Sequence, residues 1–178
     1  MEYKGIKFEA IVATPGCGKS YLCDKYPDKF VDVDEVRLKC KYIVPEDITR
    51  DELERTKGER PFARRADYEE YVSHMEKLLD QYVQEGKILI AAPHPEAVEY
   101  LKKRGLKFAF VYQAEDMKYE IERRMIVRGN PANVVKEMTD QFEFFLNKNK
   151  NESDSVVKYK FGKNEYLEEI VKKFGCEF

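Results

Sequence analysis

The sequence predicts an α/β fold in which a five-stranded parallel sheet carries helices on both faces. Short apolar runs alternate with amphipathic stretches along the chain, which is the pattern of repeated strand–helix units. A glycine-rich loop joins the first apolar run to the first predicted helix. The length of 178 residues favours a single domain, which we place at 1–178.

The first elements flank the glycine-rich loop. FEAIVAT (8–14) predicts a buried strand, and GKSYLCDKY (18–26) predicts a helix that Pro27 ends. KFVDVDE (29–35) alternates apolar and acidic residues and predicts a second strand that ends in a carboxylate. The polar stretch at about 44–65 has no sustained apolar stripe, so we expect a flap outside the core.

The second half of the chain is more regular. Apolar residues at steps of three and four predict a long helix over 66–86. KILIAAP (87–93) is a continuous apolar run and predicts a central parallel strand. The remaining predicted elements are a helix at 95–105, a strand at 107–113, helices at 114–129 and 133–150, a strand at 155–161 and a helix at 164–175.

Composition excludes several classes of function. A net charge of −2, from 32 basic and 34 acidic residues, gives no footprint for tight non-specific nucleic-acid binding. No stretch approaches the roughly 18 apolar residues of a membrane span, and the first residues have no apolar signal segment, so we expect a cytoplasmic protein. The four cysteines lack CxxC spacing, which favours free thiols over disulfides or zinc.

ATPGCGKS (13–20) has the spacing of a phosphate-binding loop, with alanine in place of its first glycine. The two glycines let backbone N–H groups point at phosphate, Lys19 can reach the β- and γ-phosphates, and the Ser20 hydroxyl can ligate Mg²⁺. We therefore predict ATP and Mg²⁺ as cofactors. The predicted donor-binding residues of this segment are Thr14, Pro15, Gly16, Cys17, Gly18, Lys19, Ser20 and Tyr21.

The chain resembles the P-loop kinase group, which includes adenylate kinase-like nucleotide kinases, shikimate kinase and the kinase domain of polynucleotide kinase. The resemblance rests on the loop at 13–20, on Asp32 and Asp34 at the second strand, on the charged flap and on an arginine-rich segment after the fourth strand. It covers nearly the whole chain, and the loop is its specific part. It implies a P-loop fold with a short lid and transfer of the γ-phosphate of ATP to an acceptor.

The resemblance assigns the acceptor side to residues near the second and third strands. In small hydroxyl kinases of the group, a carboxylate that closes the second strand faces the acceptor hydroxyl or the metal, and Asp34 matches that position. We predict Asp34 as catalytic base or, with Ser20, as metal ligand; a pair of solvated strand-end carboxylates is the alternative. Arg37 and His94 are candidate substrate contacts, and a loop histidine without a catalytic role is the favoured alternative for His94.

The segment EIERRMIVRG matches the lid of these kinases, which we place at about 123–133. The resemblance implies that Arg124 and Arg128 act on the transferring phosphoryl group and that Arg123 contacts the donor. A surface helix whose arginines pair with Glu120 and Glu122 is the alternative. The loop that could form the lid is only RGNPAN, so a zinc-bearing lid is excluded.

The flap and the last loop supply the remaining candidates. Arginines of the flap would grip an acceptor phosphate, and we favour Arg60, Arg64 and Arg65; a solvated mixed-charge surface is equally compatible, since six acids share the segment. The loop FGKNE after the last strand lies where the group holds adenine, which makes Phe161, Gly162 and Lys163 candidate base contacts.

The predicted function is an ATP-dependent phosphotransferase acting on a small nucleotide or nucleoside. The third strand has no aspartate at its end, which argues against a motor-type ATPase. The alternatives are a polynucleotide 5′-hydroxyl kinase and a P-loop NTPase or regulatory switch without an acceptor. Flap arginines favour a phosphorylated acceptor and Asp34 favours a free hydroxyl. We expect no membrane partner, no favoured nucleic acid, and a monomer or homodimer.

Overall fold

A five-stranded parallel sheet organises the chain, as the sequence predicts. The structure is a computed structural model and describes residues 1–43, 64–151 and 153–177. Strands are β1 (Glu2–Tyr3), β2 (Ile6–Lys7), β3 (Ala10–Ala13), β4 (Phe30–Asp32), β5 (Tyr42–Ile43), β6 (Arg64–Arg65), β7 (Ile88–Ala91), β8 (Phe108–Gln113) and β9 (Val157–Phe161). Those of the main sheet follow the order β4-β7-β3-β8-β9, and every neighbouring pair is parallel.

Helices cover both faces of this sheet. They are α1 (Lys19–Lys25), α2 (Val33–Cys40), α3 (Tyr68–Gln84), α4 (Pro95–Lys103), α5 (Lys118–Val127), α6 (Ala132–Asp140), α7 (Phe142–Lys150) and α8 (Leu167–Lys173). Ile11 and Ala13 of β3 face a core formed with α1 and α5 to α8, while Ala10 and Val12 face α2, α3 and α4. This alternation follows from the two-residue period of a strand with both faces buried.

The second strand is shorter than predicted. β4 ends at Asp32, and α2 begins at Val33, so the expectation of a strand over 29–35 with Asp34 closing it is wrong. The Asp32 carboxylate accepts the Asp34 N–H at 3.0 Å and caps the helix. Val33 and Val36 are buried at helical spacing. Asp34 therefore lies in the first turn of α2 and does not share a strand face with Asp32.

Two other local features differ from the prediction. The helix expected over 133–150 is two helices that meet at Gln141, where the chain turns and brings Phe142 and Leu146 into the core. The first residues form a β-hairpin, β1–β2, which turns at Lys4 and Gly5 with positive φ. Its Tyr3 packs edge-on against Tyr159 and Phe174.

The predicted flap begins and ends at a small antiparallel pair. β5 pairs with β6 in the register Tyr42 to Arg65 and Ile43 to Arg64. Residues 44–63, including Arg60, lie outside the described residues. Within the part of the chain that is described, no helix has the length and apolar character needed to cross a bilayer. All four cysteines are free thiols, as expected, and the structure shows that all four are buried.

Candidate functional site

Several of the predicted site residues that the structure describes lie at the carboxyl edge of the main sheet. The phosphate loop, residues 14–20, follows β3, and Asp32 ends β4. His94 lies just beyond β7, and Gly162 follows β9. Open parallel sheets bind ligands at this edge, because loops and helix starts converge there. This edge has two distinct regions: the phosphate loop, and the Asp34 cluster (Asp34, Arg37, Tyr71, His94 and Glu96).

The backbone of the phosphate loop requires glycine. Gly16 and Gly18 adopt φ values of 79° and 97°, in the left-handed region that L side chains rarely occupy. A Cβ on Gly16 would also lie 2.8 Å from the Ile121 Cδ1 atom. The Thr14 N–H donates to the Val111 carbonyl of β8 at 3.0 Å and fixes the start of the loop. Left-handed glycines in a loop between a strand and a helix are what a phosphate-binding backbone requires.

Two side chains of the loop have the chemistry that a magnesium triphosphate needs. Lys19 Nζ donates to the carbonyl oxygens of Ala13 and Thr14 at 3.1 and 3.5 Å, so its cation lies against the loop backbone. Ser20 Oγ donates to Asp32 Oδ2 at 3.0 Å. A hydroxyl beside a carboxylate is a hard-oxygen donor set that fits Mg²⁺. The carboxylate that contacts Ser20 is therefore Asp32, and Asp34 as a metal ligand stays a prediction.

The electrostatics around Asp32 also fit a cation. Burial, followed by the charge of Asp34, raises the pKa of the Asp32 carboxyl, although the Ser20 hydrogen bond and Lys19 act in the opposite direction. Across residues 1–43, 64–151 and 153–177, no three His, Cys, Asp or Glu side chains converge on a metal position. Mg²⁺ in nucleotide sites is bound by one or two protein groups together with phosphates and water, so Ser20 and Asp32 form a sufficient protein set.

Arg124 clamps the phosphate loop to the loop that follows β9. Its side chain is only 6% exposed, and its guanidinium carbon Cζ lies 4.0 Å from the centre of the Tyr166 ring. The guanidinium donates to the carbonyls of Gly16 (3.1 Å), Lys163 (2.6 Å) and Glu165 (3.3 Å) and to the carboxylate of Glu120 (2.8 Å). In this conformation Arg124 holds two loops together.

Arg128 has a different environment from Arg124. It caps the C-terminus of α5, is exposed, and donates from Nη2 to Ser20 Oγ at 3.1 Å. Arg123 forms two hydrogen bonds of 2.8 Å with Glu120. The structure thus places Arg124 and Arg128 at the phosphate loop. It also pairs Arg123 and Arg124 with Glu120, which is the alternative that the sequence left open. The lid connection is short, because α6 begins at Ala132.

A cleft of about 530 Å³ opens beside the phosphate loop. Its lining includes Gly18, Tyr21, Arg123, Val127, Tyr166 and Glu169. Aromatic rings and guanidinium planes are surfaces on which a nucleobase stacks, so the predicted donor contacts Tyr21 and Arg123 lie in a suitable place. Phe161, by contrast, is fully buried in the core. Tyr166 is the aromatic residue of this loop that the sequence reasoning missed.

Glu165 fixes the loop that carries Tyr166. Its carboxylate accepts from the Gly162 N–H at 3.0 Å, from the Tyr159 hydroxyl at 2.7 Å and from Lys173. Burial raises the pKa of this carboxyl, but Lys173, Tyr159 and the Gly162 N–H outweigh burial and bring the pKa to about 2. The loop is therefore anchored by a charged side chain at one end and by Arg124 along its backbone.

The Asp34 cluster lies where α2, α3 and α4 meet. Asp34 Oδ1 accepts the Ala92 N–H at 3.3 Å, and Arg37 Nη1 and His94 Nε2 each lie 3.9 Å from the same oxygen. Arg37 also donates from Nη2 to Glu96 at 3.4 Å and from Nε to the Tyr71 hydroxyl at 3.1 Å. The structure thus brings together the predicted acceptor residues Asp34, Arg37 and His94.

His94 is the half-exposed member of the cluster. Burial, then Arg37, lowers the pKa of His94, against the opposing effects of Asp34 and Glu96. Its imidazole is therefore neutral near pH 7 and can accept or donate a hydrogen bond. Burial raises the pKa of Tyr71.

Sequence reasoning missed Tyr71 and Glu96. Tyr71 matched the buried stripe of α3, and its spacing gave no sign of a polar contact. Glu96 follows Pro95 at the start of a helix after a central strand, which is a position that could have suggested it.

The flap arginines are not placed against this cluster. Arg60 lies outside the described residues, and Arg64 and Arg65 are described as the backbone of β6. Their contact with an acceptor stays a prediction.

Fold and site define a P-loop type of α/β protein, with the phosphate loop after the central strand β3. Neither a protein-family model nor a curated protein matches this sequence. Two solved structures are similar to this chain, and each is 14% identical to it in sequence. One is an uncharacterized protein from Eubacterium ventriosum, which aligns over 95% of this chain and 99% of its own with a TM-score of 0.47.

The other is the tunicamycin resistance protein of Deinococcus radiodurans, which aligns over 95% of this chain and 94% of its own. Its TM-score is 0.52, so this likeness shows a shared fold.

Proposed function

We propose that this protein is an ATP-dependent phosphotransferase that moves the γ-phosphate to a small acceptor, a nucleotide or a nucleoside. One observation carries the proposal: Asp32 connects the phosphate loop to the Asp34 cluster. Its Oδ2 accepts from Ser20 of the loop, and its Oδ1 accepts from the N–H of Asp34, both at 3.0 Å. A donor site and a carboxylate suited to a hydroxyl acceptor are thus joined through one side chain.

The roles of the residues follow from these contacts. The phosphate loop binds the triphosphate, and Ser20 and Asp32 would hold Mg²⁺, which supplies charge neutralisation on the phosphates when bound. Asp34 accepts the proton of the attacking hydroxyl. Lys19 and the exposed Arg128 neutralise the charge that develops on the transferred group. Arg124 holds the phosphate loop against the loop that carries Tyr166. Tyr166 lines the cleft beside the phosphate loop, which we call the base-side cleft.

The residues at the end of β7 favour phosphate transfer to an acceptor over ATP hydrolysis. Ala91, Ala92 and Pro93 follow one another there, so no carboxylate takes the position that orients water in motor-type ATPases. The Ala92 N–H instead binds Asp34. This part of the edge is thus used to hold a group of the Asp34 cluster.

An ADP-release screen tests the proposal. The panel comprises deoxynucleoside monophosphates, nucleosides, small hydroxy compounds and 5′-hydroxyl oligonucleotides, each with ATP and Mg²⁺. We expect a nucleoside or nucleotide to accelerate ADP release. Steady turnover that no acceptor changes would contradict the proposal and indicate an NTPase. Acceleration by oligonucleotides alone, with steep salt dependence, would indicate a polynucleotide kinase.

A further inference from the structure

We infer that the acceptor presents an uncharged hydroxyl group, and that the Asp34 cluster rejects a phosphate monoester. The inference rests on the proposed function and narrows its substrate class. It answers the conflict between Asp34, which suits a hydroxyl, and arginines, which suit a phosphate. The decisive residue is Glu96, whose contact with Arg37 decides whether that arginine can hold an anion.

The charges of the cluster are unbalanced toward the negative. Asp34 and Glu96 contribute two carboxylates, at 3.9 and 3.4 Å from the one guanidinium of Arg37. At pH 8 the imidazole of His94 is neutral. The net charge is therefore −1. A phosphate monoester carries about −1.5 to −2 at neutral pH and would meet like charge here.

The geometry of Arg37 gives the same result. Its Nη2 faces Glu96 at 3.4 Å, its Nε is bonded to the Tyr71 hydroxyl at 3.1 Å, and its Nη1 faces Asp34. A bidentate grip on phosphate needs two parallel N–H groups directed at the ligand. All three nitrogens of Arg37 already face protein oxygens, and its side chain is only 15% exposed. A hydroxyl needs only one acceptor, which the partly exposed Asp34 provides.

Glu96→Gln is the direct test, because it removes one negative charge and weakens the hold on Arg37. Glu99→Gln is the matched control: it makes the same charge change one helical turn further along α4, at an exposed position. The probe is inorganic phosphate at pH 8, with the phosphate loop filled by Mg²⁺ and adenylyl imidodiphosphate. The chain has two histidines, so the His94 ring signals in NMR report binding at the cluster with little overlap.

We expect phosphate to bind Glu96→Gln at least about fivefold more tightly than the wild type, with Glu99→Gln like the wild type. Wild-type binding as tight as that of the variant would overturn the exclusion, whether Arg37 or the flap arginines hold the phosphate. Equal absence of binding in both would overturn the role of Glu96. An equal gain in Glu99→Gln would overturn it too, because net charge alone would then explain the effect.

This experiment separates the inference from the proposed function. It measures binding and no turnover, so its outcome does not depend on the acceptor screen. If the nucleotide analogue fails to bind, the proposed function fails. The Gly16 and Gly18 amide signals then report phosphate in the loop, while the His94 signals still report phosphate at the cluster.

Discussion

The phosphate loop and the Asp34 cluster share one sheet edge but are held in opposite ways. Around the loop, cations contact backbone: Lys19 donates to two carbonyls, and the buried Arg124 donates to three carbonyls as well as to Glu120. In the cluster, the charged groups face one another at 3.4 to 3.9 Å and are partly exposed. The first region is preorganised for one ligand, whereas the second can adjust to its ligand.

The largest expected effect lies in the preorganised region. Lys19→Ala should lower kcat by about 10³-fold, because the cation on the transferred phosphate is lost from a site that cannot rearrange to replace it. Steady-state kinetics with ATP and the accelerating acceptor measures it. Lys39→Ala, an exposed lysine paired with Glu35 on α2, is the control. A loss of less than tenfold in Lys19→Ala would mean that the loop is not the donor site.

Asp34→Asn probes the adjustable region and should lower kcat by about 10²-fold. The amide keeps the shape and the contact with the Ala92 N–H but cannot take up a proton. Solvent water can replace part of this role in a partly exposed cluster, so the loss is smaller than for Lys19. A rate near that of the wild type would reduce Asp34 to a structural role. Glu35→Gln, the exposed neighbour in α2, provides the comparison.

The contrast between the regions also explains what the sequence could predict. The phosphate loop is specified locally: its glycines are required by positive φ, and an apolar strand precedes it. The five strands of the main sheet could also be predicted locally, because short apolar runs in the sequence mark them. The Asp34 cluster is assembled from three helices, and the Glu96 and Tyr71 contacts with Arg37 are 59 and 34 residues apart along the chain. No local pattern specifies such contacts.

The error at Asp34 has a specific physical cause. The residues VDVDEV satisfy both a strand period and a helical one, because Val33 and Val36 are three apart while acids alternate with valines. The Asp32 cap decides between them in favour of helix. The N-terminal hairpin was missed since its two-residue strands depend on the packing of Tyr3 on distant aromatic rings.

Arg124 within α5 and Arg128 at the C-cap of α5 sharpen the comparison. Arg124→Ala should weaken ATP binding about tenfold but tripolyphosphate binding less than about threefold, because the clamp positions the base-side cleft more than the phosphates. Arg128→Ala should leave ATP binding within about threefold and lower kcat about 30-fold. Calorimetric titration and steady-state rates measure both. Equal losses for ATP and tripolyphosphate in Arg124→Ala would show that it acts on the phosphates directly.

Arg124→Ala should also destabilise the fold, unlike Arg128→Ala. Removal of the buried guanidinium leaves backbone carbonyls without their donor, and the free energy of unfolding should fall by about 2 to 3 kcal/mol. Urea unfolding of the two variants gives the difference. A stability loss as large in Arg128→Ala would mean that the exposed arginine is also part of the scaffold.

The smallest effect tests the electrostatics of the cluster itself. The pKa of His94 should lie below the ordinary value of about 6.5 and be readable from its ring signals in NMR. Arg37→Gln should raise this pKa and Asp34→Asn should lower it further, since Arg37 and Lys19 lower it and Asp34 and Glu96 raise it among the residues that the structure describes. Opposite signs would mean that the cluster has a different arrangement in solution.

The lowered pKa also sets the direction of a stability change. Between the folded pKa and about 6.5, the unfolded chain binds a proton that the folded chain refuses, so the contribution of His94 to stability falls as pH falls through that interval. Relative to His94→Asn, the wild type should therefore lose stability as the pH falls below about 6.5, by at most about 2 °C in Tm, because the ring is half exposed.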